Sequence, residues 1–440
     1  MTMEVLADWV SRISNVVWNG LLLYLLVGTG IVFTIRTRFI QVRKFGAGWK
    51  HLFGHFSLNG EKAGKDGMSP FQALTTAIAA QVGTGNIAGA ATALYSGGPG
   101  AIFWMWLSAF FGMSTIYGEA VLAQTFKTKD ETGHVIGGPV YYIRQAFKGT
   151  FGKILAGFFA LAIIFALGFT GNMVQSNAIS NAFQEALGIP TWIVGVVLAV
   201  VAAFIFLGGV TRIAAVTEKL VPVMACFYLV GGLVMLIANI TNLPHAFALI
   251  FEGAFNPQAI LGGAVGIGVR EAMRYGVARG LFSNEAGMGS AAIPAASAAT
   301  DSPARQGYVN MTGVFFDTTV ICTVTGLCIC ASGVLGTADA SGAQVNGVAL
   351  TALAFKTVLG PLGGLLVSLG IVLFAFSTIL GWEFCGETAF AFLFGRRAIP
   401  LYRILFALAA FLGATQSLEV VWNLSDIFNA LMAVPNLISL

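Results

Sequence analysis

The stretch FQALTTAIAAQVGTGNIAGAATALYS, residues 71–96, decides the fold. It is long and apolar enough to cross a bilayer, which takes about 20 residues. Yet its centre, Val82-Gly83-Thr84-Gly85-Asn86, is polar and glycine-rich at the depth where a bilayer is driest. Glycine costs about 1 kcal/mol relative to alanine in a helix interior. A break there frees amide N–H groups at the start of one half-helix and carbonyls at the end of the other. The amides suit a carboxylate, and the carbonyls suit Na⁺ or an ammonium group. Left unpaired in hydrocarbon, such groups cost several kcal/mol each, so a ligand or a cavity must satisfy them.

The rest of the chain places this stretch in lipid. Of 440 residues, 57% are hydrophobic and only 10% charged, with a mean hydropathy of +0.83. A soluble domain carries about 25% charge and 45–50% apolar residues. That excludes a soluble enzyme, a disordered chain and a coiled coil. The 55 glycines follow no G-X-Y period, which excludes collagen. The apolar runs are long and unbroken, unlike the short alternating segments of an outer-membrane barrel. The remaining class is an all-α polytopic membrane protein.

On length and hydropathy the chain divides into eleven spans: 17–35, 71–96, 99–126, 152–176, 190–210, 218–240, 258–281, 306–332, 362–390, 401–416 and 418–438. Residues 243–256 and 344–356 are expected as short helices over the membrane surface. The opening MTMEVLADWV has no basic n-region, so the first apolar run is expected to be retained. With the N-terminus outside, every Lys and Arg except Arg12 and Lys356 falls in a cytoplasmic connection, and the C-terminus is cytoplasmic. The fourth of these connections takes in Arg270, Arg274, Arg279 and Arg305. The location is a plasma membrane, the inner membrane in a bacterium. A net charge of +4 sorted in this way is a topology signal and implies no nucleic-acid partner.

A second glycine cluster, Gly262-Gly263-Ala264-Val265-Gly266-Ile267-Gly268, interrupts the span 258–281. The two interrupted spans each begin a run of five, 71–240 and 258–438, entering from opposite faces. That pattern predicts a 5+5 inverted repeat with discontinuous helices and a binding site near the midplane. One extra N-terminal helix precedes it. The chain then divides into 1–66, 67–242 and 243–440. Gly263 and Gly266 join the candidate substrate site on this ground. The competing reading is that the glycines only let helices pack closely. Matched positions, with Thr84 and Asn86 in one cluster, favour the break.

Acids inside spans need a reason, because insertion scales charge about 2.5–3.5 kcal/mol for each. Asp317 lies two to three turns deep with no local basic partner. It is an ion ligand, a proton carrier or a partner of Arg270 or Arg274. Glu119 is expected to pair with basic residues near its helix end, and Glu383 and Glu387 to form ion pairs at a gate. The five cysteines lie in or beside apolar runs without a disulfide or metal-ligand pattern. His51, His55, His134 and His245 fall in polar connections.

The sequence resembles the alanine or glycine:cation symporter family, the sodium:alanine symporters. The resemblance rests on QVGTGNIAGAATAL at 81–94, GGPGAIFWMWLSAFFG at 97–112, RYGVARGLFSNEAGMGSAAI at 274–293 and AFSTILGW at 375–382. It runs from about residue 20 to the end and departs at Pro294-Ala295. It implies the leucine-transporter-type fold of five-plus-five inverted repeats. By that fold's site logic, N–H groups of Thr84, Gly85 and Asn86 would hold a substrate carboxylate, and the Gln81 carbonyl would face its ammonium. A sodium site would use carbonyls of Ala79, Val82 and Phe374 with the hydroxyls of Ser377 and Thr378. Ordinary bonding of Ser377 and Thr378 to carbonyls one turn back is the alternative. Phe169, Asn172 and Gln175 would come from the third repeat helix, with Asn172 and Gln175 on one face or hydrogen-bonded between helices. Trp382 would wall the pocket or stand at the membrane interface.

The reading is a secondary active transporter that moves Na⁺ with alanine or glycine inward by alternating access. Proton coupling, or another substrate such as serine or a D-amino acid, is the nearer rival. A channel would repeat one filter motif around an axis, and an enzyme would need a nucleophile–base or metal constellation. Neither pattern is present in the sequence. Na⁺ is expected as the co-transported ion, with no organic cofactor and no obligate protein partner.

Overall fold

The computed structural model describes residues 12, 16, 18–53, 70–130, 133, 135–256, 268–339 and 342–440. A short π-helical turn, Trp18–Leu22, leads into α1 (Leu23–Arg36), and α2 (Phe45–Phe53) follows a tight connection. The interrupted stretch forms α3 (Pro70–Gln81) and α4 (Ala90–Gly97). Next come α5 (Gly100–Thr125), α6 (Pro139–Ala146), α7 (Gly149–Leu187), α8 (Thr191–Phe206), α9 (Gly209–Ala238) and α10 (Leu243–Phe255). The second half comprises α11 (Val269–Asn284), α12 (Ala292–Ser297), α13 (Pro303–Ser332), α14 (Gly347–Leu359), α15 (Pro361–Phe394), α16 (Ile399–Thr415) and α17 (Leu418–Ser439). Among the described residues, β-structure is confined to a two-residue hairpin, Thr128–Lys129 with Val135–Ile136, and isolated bridge residues at Ala298, Ala338 and Gln344.

Local chemistry sets the helix ends. Pro139, Pro303 and Pro361 open their helices, where the missing N–H has no intrahelical partner to lose. Gly188 and Gly333 close theirs in the left-handed region that glycine adopts without strain. Among the described residues, six helices are long and apolar enough to cross a membrane, including α5, α7, α13 and α15. The expected short helices at 243–256 and 344–356 are present as α10 and α14. Two of the long helices exceed their expected spans, because hydropathy fades before hydrogen bonding stops. Helix α7 runs eleven residues past 176, and α9 begins nine before 218.

Two places differ from the sequence reading. The glycine cluster at 262–268, with Gly263 and Gly266, lies outside the described residues up to 267. The described part of that span, α11, is one unbroken helix, and the helix ends instead at Glu285–Ala291 before α12 resumes. The basic residues also need correction. Trp104 on α5 donates to the Ala254 carbonyl at 3.2 Å, and Gln124 near its far end donates to the Ala295 carbonyl at 2.5 Å. Helix α11 therefore runs alongside α5 in the same direction, with Gly97 against Ala272 and Tyr275. Arg270 and Arg274 lie by the Gly97–Gly100 turn. Lys127 and Arg305 are at the other end, where Tyr117 stacks on Tyr308.

Arg279 belongs to neither end. It is buried and makes a two-pronged pair with Asp426 of α17, at 2.8 Å for each bond. Its guanidinium also lies 4.3 Å from the Trp422 ring centroid. Removing one partner of a buried pair leaves an uncompensated charge, which costs about 3–5 kcal/mol. Arg279→Ala should therefore lower the melting temperature in detergent clearly, and Arg279→Ala with Asp426→Ala should recover much of that loss.

Candidate functional site

The helix that starts at Pro70 loses its regular bonding at Val82 and Gly83 and then passes through a π-helical turn, Gly85–Gly89, before α4. The amides freed there find side chains. Gly83 donates to Asn86 Oδ1 at 2.9 Å, and Thr84 donates to Gln175 Oε1 at 3.1 Å. Gly83 has to be glycine for a second reason. A Cβ on it would lie 3.1 Å from Thr378 Cβ and 3.3 Å from Gln175 Nε2. Gly85 likewise admits α11, since its Cβ would come 2.9 Å from Ser283 Cα.

Five oxygens meet on the α3 side of this break. Thr378 Oγ1 is 3.0 Å from the Ala79 carbonyl, 3.2 Å from that of Val82 and 3.1 Å from that of Phe374. Ser377 Oγ is 2.8 Å from the Phe374 carbonyl and 3.5 Å from that of Val82. A threonine hydroxyl has one hydrogen to give. At most one of its three carbonyl neighbours can take it, so the others face a lone pair. Bonding one turn back explains the contacts with Phe374 only. The reach to Ala79 and Val82, on another helix, leaves a cluster of oxygens rich in unshared lone pairs. All five residues are buried.

Buried polar groups are also left over around the break. Gln81 Nε2, Thr84 Oγ1 and Gln175 Nε2 have no hydrogen-bond partner among the described residues. A buried polar group without a partner costs about 1–3 kcal/mol, and three around one break mark a place for polar ligand atoms. Asn172 does not join Gln175 there. It donates to the Phe406 carbonyl of α16 at 2.7 Å. Phe169 is half-buried, with its ring 5.6 Å from that of Phe165.

Asp317 stands in a second π-helical turn, Phe315–Cys322 of α13. It pairs with neither Arg270 nor Arg274. Asn86 Nδ2 donates to it at 2.6 Å, Ser283 Oγ at 2.8 Å and Thr318 Oγ1 at 2.7 Å. One carboxylate thus ties the broken helix to α11. Glu119 also departs from expectation, since it accepts from the Gly289 amide at 3.0 Å and from Asn436 Nδ2 at 2.5 Å. Glu387 binds Arg403 at 2.7 Å and 3.1 Å, and Glu383 lies 3.6 Å from the same guanidinium.

Trp382 is 2% exposed, which removes the interfacial reading. Its indole donates to Glu285, a buried acid that sequence reasoning assigned to a connection. Ser283 and Asn284 before it read as the polar end of the span. The available signal was GMG after Glu285, a cluster able to end a helix inside the protein.

With this geometry in place, comparison with known proteins decides the family. A family model described as the sodium:alanine symporter family matches residues 3–440. The chain belongs to that family. The sodium/alanine symporter AgcS of Methanococcus maripaludis is 47% identical over 440 residues, which cover 98% of this chain and 94% of that protein. A probable sodium/glutamine symporter, GlnT of Bacillus subtilis, is 39% identical over 99% of this chain and 88% of its own length. Among solved structures, MhsT in complex with L-phenylalanine superposes with a TM-score of 0.60 at 16% identity, over 85% of this chain and 89% of that one. A manganese transporter of Eremococcus coleocola gives 0.56 at 14%, over 86% and 81%. At those identities the likeness shows the fold alone, the leucine-transporter type. As a member of the sodium:alanine symporter family, the chain is a transporter of the cation-coupled amino-acid class and not an enzyme.

The packing at Gly83 yields a direct test. Gly83→Ala should drive a methyl group between Thr378 and Gln175 and cut uptake of radiolabelled alanine about tenfold or more, the value of a lost charge-assisted bond. Its melting temperature in detergent should also fall, since overpacking a buried contact costs about 1–3 kcal/mol.

Proposed function

We propose that the protein carries Na⁺ together with a small neutral amino acid, alanine or glycine, into the cell by alternating access. The observation that supports this most is the pairing of two unlike half-sites on one broken helix. Surplus oxygen lone pairs of Ala79, Val82, Phe374, Ser377 and Thr378 meet at the break, and the unpartnered polar groups of Gln81, Thr84 and Gln175 belong to the same break. The first set fits a hard monovalent cation and the second a carboxylate. In this reading Gln175 Oε1 stands in for a substrate carboxylate oxygen on the Thr84 amide, and it yields that amide when substrate enters. The N–H groups of Gly85 and Asn86 lie next in line. The Gln81 carbonyl faces the ammonium, Phe169 lies at the edge, and Trp382 forms the floor.

The architecture that goes with this function is eleven spans, a 5+5 inverted repeat and one extra N-terminal helix, in the plasma membrane with the N-terminus outside and the C-terminus cytoplasmic. Support comes from the second discontinuity at Glu285–Ala291, which follows the first by roughly half the chain. Sodium on the break stabilises its substrate-ready form, so substrate affinity rises with Na⁺.

A second reading, proton coupling through Asp317, draws on its direct bond to Asn86 of the break. The two separate cleanly in proteoliposomes with Na⁺ and pH gradients imposed independently. Sodium coupling predicts alanine accumulation driven by the Na⁺ gradient alone. Thr378→Ala should raise the half-saturating Na⁺ about tenfold or more, since a bond to a charged partner is worth about 1.5–3 kcal/mol. Alanine binding to the purified protein that is indifferent to Na⁺ would overturn the proposal. Asp317→Asn that abolishes pH-driven uptake while sparing the Na⁺ dependence would establish the second reading.

A further inference from the structure

Glu285 ends α11 at a positive φ of 58°, a backbone state that residues other than glycine rarely adopt. Its N–H closes the helix on the Leu281 carbonyl at 2.8 Å, and its side chain is completely buried. One carboxylate oxygen accepts from the Trp382 indole N–H, and the other accepts from Ser290 Oγ at 2.6 Å. The rest of the indole is held by shape. Phe282 meets it edge to face, with centroids 5.8 Å apart and planes at 87°. Gly171 of α7 lies so close that a Cβ there would be 2.9 Å from Trp382 Cε3.

A buried carboxylate is an expensive way to place an indole, because an apolar neighbour would pack against it without a desolvation cost. What the carboxylate adds is direction. A carboxyl oxygen facing the indole N–H gives that N–H one direction to point, and this fixes a side chain that has only two rotatable bonds. Trp382 follows Thr378 by one helical turn on α15, and Gly381 between them packs against Ala80, so this stretch of α15 lies against the helix that breaks.

We propose that Glu285 is a positioning residue that pins Trp382 as the floor of the amino-acid site and thereby limits the size of the substrate side chain. The assignment rests on the transport reading above. With the ring pinned, amino acids longer than alanine meet it edge-on. With the ring released, the floor drops and longer side chains enter.

The experiment is competition by unlabelled glutamine against uptake of radiolabelled alanine in proteoliposomes. Glu285→Ala should improve glutamine competition, relative to unlabelled alanine, by about tenfold, the scale of discrimination a pocket loses with one steric contact. Glu285→Gln keeps an oxygen for the indole N–H and should retain the original ratio. Trp382→Phe removes the donor instead and should shift the ratio in the same direction, and Glu285→Ala with Trp382→Phe should shift it no further. If Glu285→Ala is not inserted, Trp382→Phe and Ser290→Ala carry the test. An unchanged ratio in a variant that still transports alanine, or additive shifts in the double variant, would overturn the role of Glu285 and leave the transport reading standing. Failure of the unsubstituted protein to take up alanine would overturn both.

Discussion

A helix interrupted inside hydrocarbon has no water to repair it, and the rest of this molecule is arranged around that constraint. The two interruptions are satisfied in different ways. At Glu285–Ala291 the protein supplies the partners itself. Glu119 takes the Gly289 amide, Asn436 donates to the Gly287 carbonyl at 2.9 Å, and Glu285 takes the Ser290 hydroxyl. At Val82–Thr84 the backbone groups are partly bonded, but the side chains that bond them keep unmet capacity. Gln175 uses its oxygen and not its nitrogen, and Thr84 gives its amide and not its hydroxyl. Among the described residues, Glu119 at the second break leaves one carboxylate oxygen unpartnered, whereas the first break leaves groups of three side chains so.

Helix α15 is the element that turns this local condition into a site. In order along its length it presents Ser377 and Thr378 to the freed carbonyls, Gly381 to α3, Trp382 to Glu285, and Glu383 and Glu387 to Arg403. Gly381 makes that sequence of contacts feasible, since a Cβ there would lie 2.9 Å from the Ala80 backbone. Close approach is what brings the Thr378 hydroxyl to carbonyls on another helix. The glycines near the site therefore do both things considered at the outset: they loosen α3 and they let its neighbours in.

How far the sequence discloses this depends on the range of the interaction. Runs of apolar residues are local, so the helices were legible, including α10 and α14. The first break was legible because Gly83, Thr84 and Gly85 violate helix propensity at a depth where nothing local compensates. The glycine cluster at 262–268 lies outside the described residues up to 267, and the discontinuity at Glu285–Ala291 is one that glycine density alone did not point to. The observed discontinuity follows Asn284 and depends on Glu285 adopting a left-handed backbone that tertiary partners hold. Arg279 was read as a surface cation for the same reason. Its partner Asp426 is 147 residues away, and nothing near Arg279 in sequence announces it. Asp317 was singled out by its depth, yet its donors Asn86 and Ser283 come from helices 231 and 34 residues distant.

The connection between Asp317 and the break bears on how a cation and an amino acid are coupled in the proposed mechanism. Asn86 uses its carbonyl oxygen to hold the Gly83 amide and its amide nitrogen to hold Asp317, while Thr325 holds the Asn86 backbone carbonyl at 2.8 Å. Any ligand that draws the Val82 carbonyl or the Thr84 amide toward itself therefore pulls on a residue clamped at three points to α13 and to its own chain. Ser283 shares the same carboxylate, so displacement of Asn86 is felt at the last turn of α11, two residues before Glu285. From there the path runs through Glu285 to Trp382 and back to α15, which also carries Thr378. The loop of contacts closes on the cation oxygens. Two ligands bound at one break then need no long-range relay to sense each other, because each alters the same few hydrogen bonds whose geometry the other requires.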